Sequence, residues 1–116
     1  MPGQRDINEF EKAKAHIIVE IIEYVSNSVV IKSIIKKTTG NITAVSFDAG
    51  EVMVEKLILF DTFVQIIEGN AEIIIDGISN LLATGQSIII PAHSMSIVRA
   101  NERFKMISTI IKSGYE

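Results

Sequence analysis

The chain has 116 residues, two prolines, no cysteine and a formal net charge of −3. That length suits one domain and leaves no room for two, and the missing cysteines exclude both a disulfide framework and a thiolate zinc site. The densest basic group, Lys32, Lys36 and Lys37, sits beside an expected turn and reads as a solvated strand edge, so no nucleic-acid footprint is expected.

The first 27 residues carry two patterns. Ile7, Phe10, Ala13 and Ile17 fit one helical face, while residues 17–25 suit a strand or a helical turn equally well. Glu20 and Glu23 interrupt that stretch, so it is no membrane span. The opening Met-Pro-Gly-Gln-Arg-Asp lacks the apolar stretch of a secretory leader, and a cytoplasmic location is expected. Residues 1–27 are read as an extension packing on a barrel formed by residues 28–116.

From Ser28 onward, short β-rich runs alternate with turn residues at the close spacing of a barrel or sandwich. Isoleucine accounts for 23 residues, and β-branched side chains pack well on pleated surfaces. Residues 29–36 lead through Thr38-Thr39-Gly40-Asn41 into 42–47, with the Gly-Asn pair expected to supply positive backbone angles for a hairpin. Runs 63–67, 71–75, 78–82 and 87–90 follow, separated by Glu68-Gly69-Asn70, Asp76-Gly77 and Thr84-Gly85, and read as a meander. A last run, 103–112, closes the domain. Ile66-Ile67, Ile73-Ile74-Ile75 and Ile88-Ile89-Ile90 are apolar on both faces, so the outer face needs cover. A second layer or a partner subunit, most simply in a two-fold homodimer, would supply it.

Two glycine-framed segments carry a resemblance. Gly50 and Gly69 stand at the separation of the two ends of the first cupin motif, which runs glycine, five residues, His-x-His, three or four residues, Glu, six residues, glycine. Gly85, Pro91, His93 and Ser96 are similar to the second motif. Over roughly residues 28–113 the chain therefore resembles the small single-domain cupins. The resemblance implies an all-β fold, a double-stranded β-helix or jelly-roll barrel, here with a short N-terminal strand or helical extension.

The same alignment puts Lys56 and Ile58 where the family has its paired histidines, Thr62 where it has glutamate and Ser96 where it has its last histidine. Protonated lysine and isoleucine offer no lone pair, and neutral hydroxyls bind divalent cations weakly. No metal, cofactor or catalytic residue is assigned. His93 falls at the family's glycine position and His16 lies outside both motifs.

The candidate ligand pocket is Lys56, Ile58, Thr62, Ser96, Phe47 and Met106, for an unidentified small molecule. Lys56 either works at the barrel mouth or pairs in solvent with Glu51, Glu55 or Asp61. Thr62 and Ser96 either bind a polar ligand or satisfy nearby main chain. Met53, Phe60, Phe63 and Met95, like Phe47 and Met106, line a pocket or fill a core, with outward-facing Phe63 also suited to an interface. Two functions follow: a small-molecule-binding or structural and regulatory barrel, or a metal-independent isomerase or lyase using Lys56. An open cavity favours binding; one filled by Ile58, Phe47 and Met106 favours a structural role.

Overall fold

The computed structural model describes residues 9–113; Ile7 and the outer ends of segments 1–27 and 28–116 lie outside that range. Among the described residues, one 3-10 turn, Ile18–Glu20, precedes nine strands. They are β1 Val29–Lys37, β2 Gly40–Phe47, β3 Val52–Glu55, β4 Thr62–Glu68, β5 Asn70–Ile75, β6 Ile78–Ala83, β7 Ser87–Ile90, β8 Ser96–Arg99 and β9 Phe104–Ile111. A five-stranded sheet, β1-β2-β9-β4-β7, faces a four-stranded one, β3-β8-β5-β6, and every pairing is antiparallel. This is the all-β jelly roll.

The meander is corrected. β4 pairs with β7 and β9, and β5 pairs with β6 and β8, so the consecutive strands β4 and β5 lie in different sheets. The chain changes sheet at Gly69, whose φ is +91°. The Thr84 hydroxyl holds that corner, accepting from the Gly69 N–H at 2.9 Å and donating to its carbonyl at 3.2 Å. Two four-residue strands, β3 and β8, went unread in the sequence.

The first hairpin also differs from expectation. Lys37 pairs with Gly40, which leaves Thr38-Thr39 as the loop, and neither Gly40 nor Asn41 has a positive φ. Gly40 is required by space instead: a Cβ there would lie 2.6 Å from the Ile110 carbonyl oxygen. Asp76-Gly77 does form the expected two-residue turn, with φ of 47° and 83° between the paired Ile75 and Ile78.

Alternation along each strand sorts the side chains. Val45, Phe47, Val64, Ile66, Ala71, Ile73, Ile90, Val98, Phe104 and Met106 point between the sheets and form one core. A second cluster lies on the outside of the five-stranded sheet, where Ile21 and Ile22 of the N-terminal strap cover Ala44 and Ile107. Burying each of those two isoleucines is worth about 1.5–3 kcal/mol. Among the described residues this strap, 9–28, is neither strand nor α-helix; apart from the 3-10 turn it is irregular, held by apolar packing and by hydrogen bonds to its backbone.

Polar contacts help to fix it, among them the Asn27 N–H donating to Asp48 Oδ2 at 2.7 Å and the Phe10 N–H donating to the Ile34 carbonyl at 3.1 Å. Ser46 donates to the Glu23 carbonyl at 2.8 Å, the buried Lys105 ammonium donates to the Val19 carbonyl, and the Tyr24 hydroxyl donates to Glu68 Oε1 at 2.6 Å. Arg103 and Lys105 also lie 4.6 and 4.9 Å from the Tyr24 ring centroid. Burial, then the hydrogen bond to Glu68, raise the Tyr24 pKa above its ordinary value of 10. The unfolded phenol ionises near that value while the folded one keeps its proton, so this contribution is complete below pH 10 and is lost as pH rises beyond it. Tyrosinate absorbance is expected to show one late-titrating phenol, and Tyr24→Phe to abolish it and flatten the alkaline fall in stability.

Candidate functional site

One end of the barrel gathers the positions where the motif would place ligands. Ile58 follows β3 and is tied to the turn after β7: its N–H donates to the Ser94 carbonyl at 2.8 Å, and its carbonyl accepts the His93 N–H at 2.6 Å. Asp61 Oδ1 accepts the Ala92 N–H at 2.8 Å, and the Ser94 hydroxyl closes the turn on the Pro91 carbonyl at 2.6 Å. His93 adopts a φ of 69° within that turn, the backbone region for which glycine is suited, and its side chain is exposed.

Thr62 opens β4 between Ile90 and Ile110, and Ser96 opens β8 between Glu55 and Ile75. Both are buried and share the inward parity of Val64 and Val98. The Thr62 hydroxyl donates to the Phe60 carbonyl at 3.0 Å. Ile58 belongs to the core itself. Lys56 is exposed, just beyond β3.

The six candidate pocket residues are spread along the barrel, with Phe47, Ile58 and Met106 part of its one core cluster. Ile58, Thr62 and Ser96 share one end, and Met106 sits mid-sheet opposite Val45 and Ile66. Phe47 pairs with Phe104 at the start of β9, whereas Thr62 pairs with Ile110 near its end. Six strand residues separate those rows by about 20 Å. Phe47 stacks on Phe104 with ring centroids 4.7 Å apart and 11° between planes, both fully buried. Of the other aromatic and sulfur residues, Met53 packs on the core, while Phe63 and Met95 are exposed.

The residues at the motif's ligand positions do not fit a divalent metal. Ile58 has no donor atom, the Thr62 hydroxyl donates to main chain, and Lys56 is out in solvent. His16 stacks at 4.8 Å on Phe10, away from the barrel end. Among the described residues no three His, Asp or Glu side chains gather in a geometry that would hold a metal ion, and no helix is long and apolar enough to cross a membrane. The sequence reading missed the strap-holding residues Tyr24, Ser46 and Lys105; a lysine flanked by Phe104 and Met106 in an apolar strand was their one visible signal.

No family model and no curated protein matches the chain. Solved structures do. A conserved protein of unknown function from Streptococcus pyogenes is 27% identical over 96% of this chain and 97% of its own, with a TM-score of 0.85. A cupin superfamily protein from Desulfitobacterium hafniense is 24% identical over 95% of this chain and 100% of its own, with a TM-score of 0.83. A cupin 2 conserved barrel domain protein from Leptotrichia buccalis is 27% identical over 81% of this chain and 46% of its own, with a TM-score of 0.77. With its two facing sheets and its positive-φ glycines at 50, 69 and 85, the chain has the barrel fold of the cupin proteins it resembles.

Proposed function

We propose that this barrel works without a metal and as a structural or regulatory protein, its interior serving as a packed core. The observation that carries the reading is that Phe47, Ile58 and Met106 are all buried in one apolar cluster where a binding barrel needs open space. A small-molecule pocket at the end bounded by Thr62 and Ser96 is the competing form of the same proposal. The isomerase or lyase reading is weakened, because Lys56 is exposed and lacks the desolvation that activates a catalytic lysine.

Elemental analysis of the purified full chain, with thermal-shift scans against divalent metals, small carboxylates and sugars, tests this. The expected result is substoichiometric metal and an unmoved melting temperature. A true ligand at a hundred times its Kd adds about 2.7 kcal/mol, enough to move the midpoint by several degrees. Stoichiometric iron, zinc, manganese or nickel overturns the metal-free reading. Stabilisation by an organic anion that disappears in Lys56→Met replaces the structural role with a binding one.

A further inference from the structure

The two sheets end in four edge strands, β1, β7, β3 and β6, and three of them carry features that block a further strand. β1 has Lys32, Lys36 and Lys37, a bulge between Ser33 and Ile35, and an Ile34 carbonyl already bonded to the Phe10 N–H. β3 is four residues long and ends on Glu55. β7 is also four residues long and stops at Pro91. Lysines, prolines, bulges and short length are the devices that keep an edge from pairing. β6 has none of them: its six residues, Ile-Ser-Asn-Leu-Leu-Ala, include no charge and no proline, and its register with β5 runs unbroken from Ile78 to Ala83.

The turn before β6 fixes which of its main-chain groups face outward. A two-residue loop with both φ positive closes on a hydrogen-bonded pair, here Ile75 and Ile78. Such pairs alternate with non-bonded ones along an antiparallel ladder. Asn80 and Leu82 therefore bond to β5, while Ser79, Leu81 and Ala83 turn their N–H and C=O groups away from it. Those of Ala83 are taken: its N–H donates to Gln86 Oε1 at 2.8 Å, and its carbonyl accepts the Gln86 N–H at 3.0 Å. Among the described residues, nothing bonds to the outward main-chain groups of Ser79 and Leu81.

Side chains around that edge are apolar or neutral. Leu81, on the outer face, is 75% exposed, and Ile78, beside the turn, is 70% exposed. A hollow of about 410 Å³ lies between β6 and β7, lined by Asn80, Leu81 and Leu82 of one strand and Ser87 and Ile88 of the other. Glu72, the carboxylate opposite Leu81, already accepts from the Ser79 hydroxyl at 2.7 Å and pairs with Arg99 at 3.3 Å.

We propose that β6 is a docking edge for an extended, uncharged peptide segment of another protein, which adds a fifth strand to the four-stranded sheet. The chemistry of the edge names the occupant. Outward N–H and C=O groups at Ser79 and Leu81, about 7 Å apart along the strand, match the repeat of an extended main chain, whereas a helix spends those groups on itself. Alternate residues of the segment meet different surfaces. One set lies beside exposed Leu81 and gains by being apolar; the other enters the hollow toward Ser87 and Ile88. A charged residue in either set finds no counter-charge there.

NMR hydrogen exchange and peptide titration on the full chain test the proposal. In the free protein the Ser79 and Leu81 amides exchange fast, while those of Asn80 and Leu82 are protected. The probes are capped heptapeptides of zero net charge, Lys-Thr-X-Thr-X-Thr-Glu, with X valine, leucine, isoleucine or tyrosine. At least one binds at up to about millimolar concentration, shifting Ser79, Asn80 and Leu81 and protecting the two exposed amides. Leu81→Pro removes an outward N–H and no bond to β5, a place where an edge strand tolerates proline; Leu81→Lys puts a charge on the edge. Each weakens binding at least tenfold with unchanged circular dichroism, and Phe63→Glu on the other sheet leaves binding intact. No probe binding, shifts centred outside β6, or wild-type affinity in Leu81→Lys overturns the proposal. So does protection of the Ser79 and Leu81 amides that grows with protein concentration, which would put a second copy on the edge. The site goes beyond the function proposed above and is independent of it: metal in the barrel would overturn that function and leave this edge standing, and failure of every probe would do the reverse.

Discussion

Replacing Phe47 by alanine is expected to cost the fold about 3–5 kcal/mol, the range for truncating a fully buried aromatic. Small domains have about 5–15 kcal/mol in total, so Phe47→Ala alone removes a large share. The prediction rests on the Phe47–Phe104 stack at the end of the barrel away from Thr62, where both rings are fully buried. Urea denaturation reads it as a lower midpoint at constant slope. Phe104→Ala should cost a similar amount, and the double variant should fall short of the sum by about 0.5–1.5 kcal/mol, the coupling of an aromatic pair. A loss near 1 kcal/mol in Phe47→Ala would mean that the ring borders open space, and would return Phe47 to the pocket in which the sequence pattern groups it.

The contrast between Phe47 and its supposed neighbours shows where the sequence is legible. Side-chain parity is a period-two property, so the inward direction of Thr62, Ser96, Phe47 and Met106 can be read strand by strand. Distance along the barrel cannot, because it depends on register between strands far apart in the chain: β9 sets Phe104 against Phe47 and Ile110 against Thr62. The same limit explains the false meander, since β4 finds its partners in β7 and β9 rather than in the strand that follows it.

Local chemistry has its own blind spots. β3 and β8 have four residues each and include Glu55, Ser96 and Arg99, too short and too polar to stand out by composition. Asp76-Gly77 was readable because its turn needs positive φ at both residues. Gly40 misled for the opposite reason: its constraint is the nearby Ile110 carbonyl, a contact with a strand 70 residues downstream that no local pattern contains.

The motif glycines allow a sharper test, because they share a backbone angle and differ in surroundings. Gly50, Gly69 and Gly85 have φ of +88°, +91° and +89°, a region that costs an L-residue roughly 1–2 kcal/mol. A Cβ at Gly50 or Gly85 meets nothing within 4 Å, so alanine at either should cost about that amount. At Gly69 a Cβ would stand 2.7 Å from the Arg103 carbonyl oxygen and 3.1 Å from the Phe104 Cα. Those are backbone atoms at the start of β9, and the corner is further held by Thr84, so neither side can yield without moving the sheet crossing. Gly69→Ala should therefore cost about 1–3 kcal/mol more than Gly85→Ala, the added strain of overpacking a rigid site. Thermal and urea unfolding of the three alanine variants side by side measures the difference. Equal losses at all three would show that backbone angle alone explains the spacing of these glycines; an excess at Gly69 would show that the crossing from β4 to β5 is built on the close approach of two chain segments.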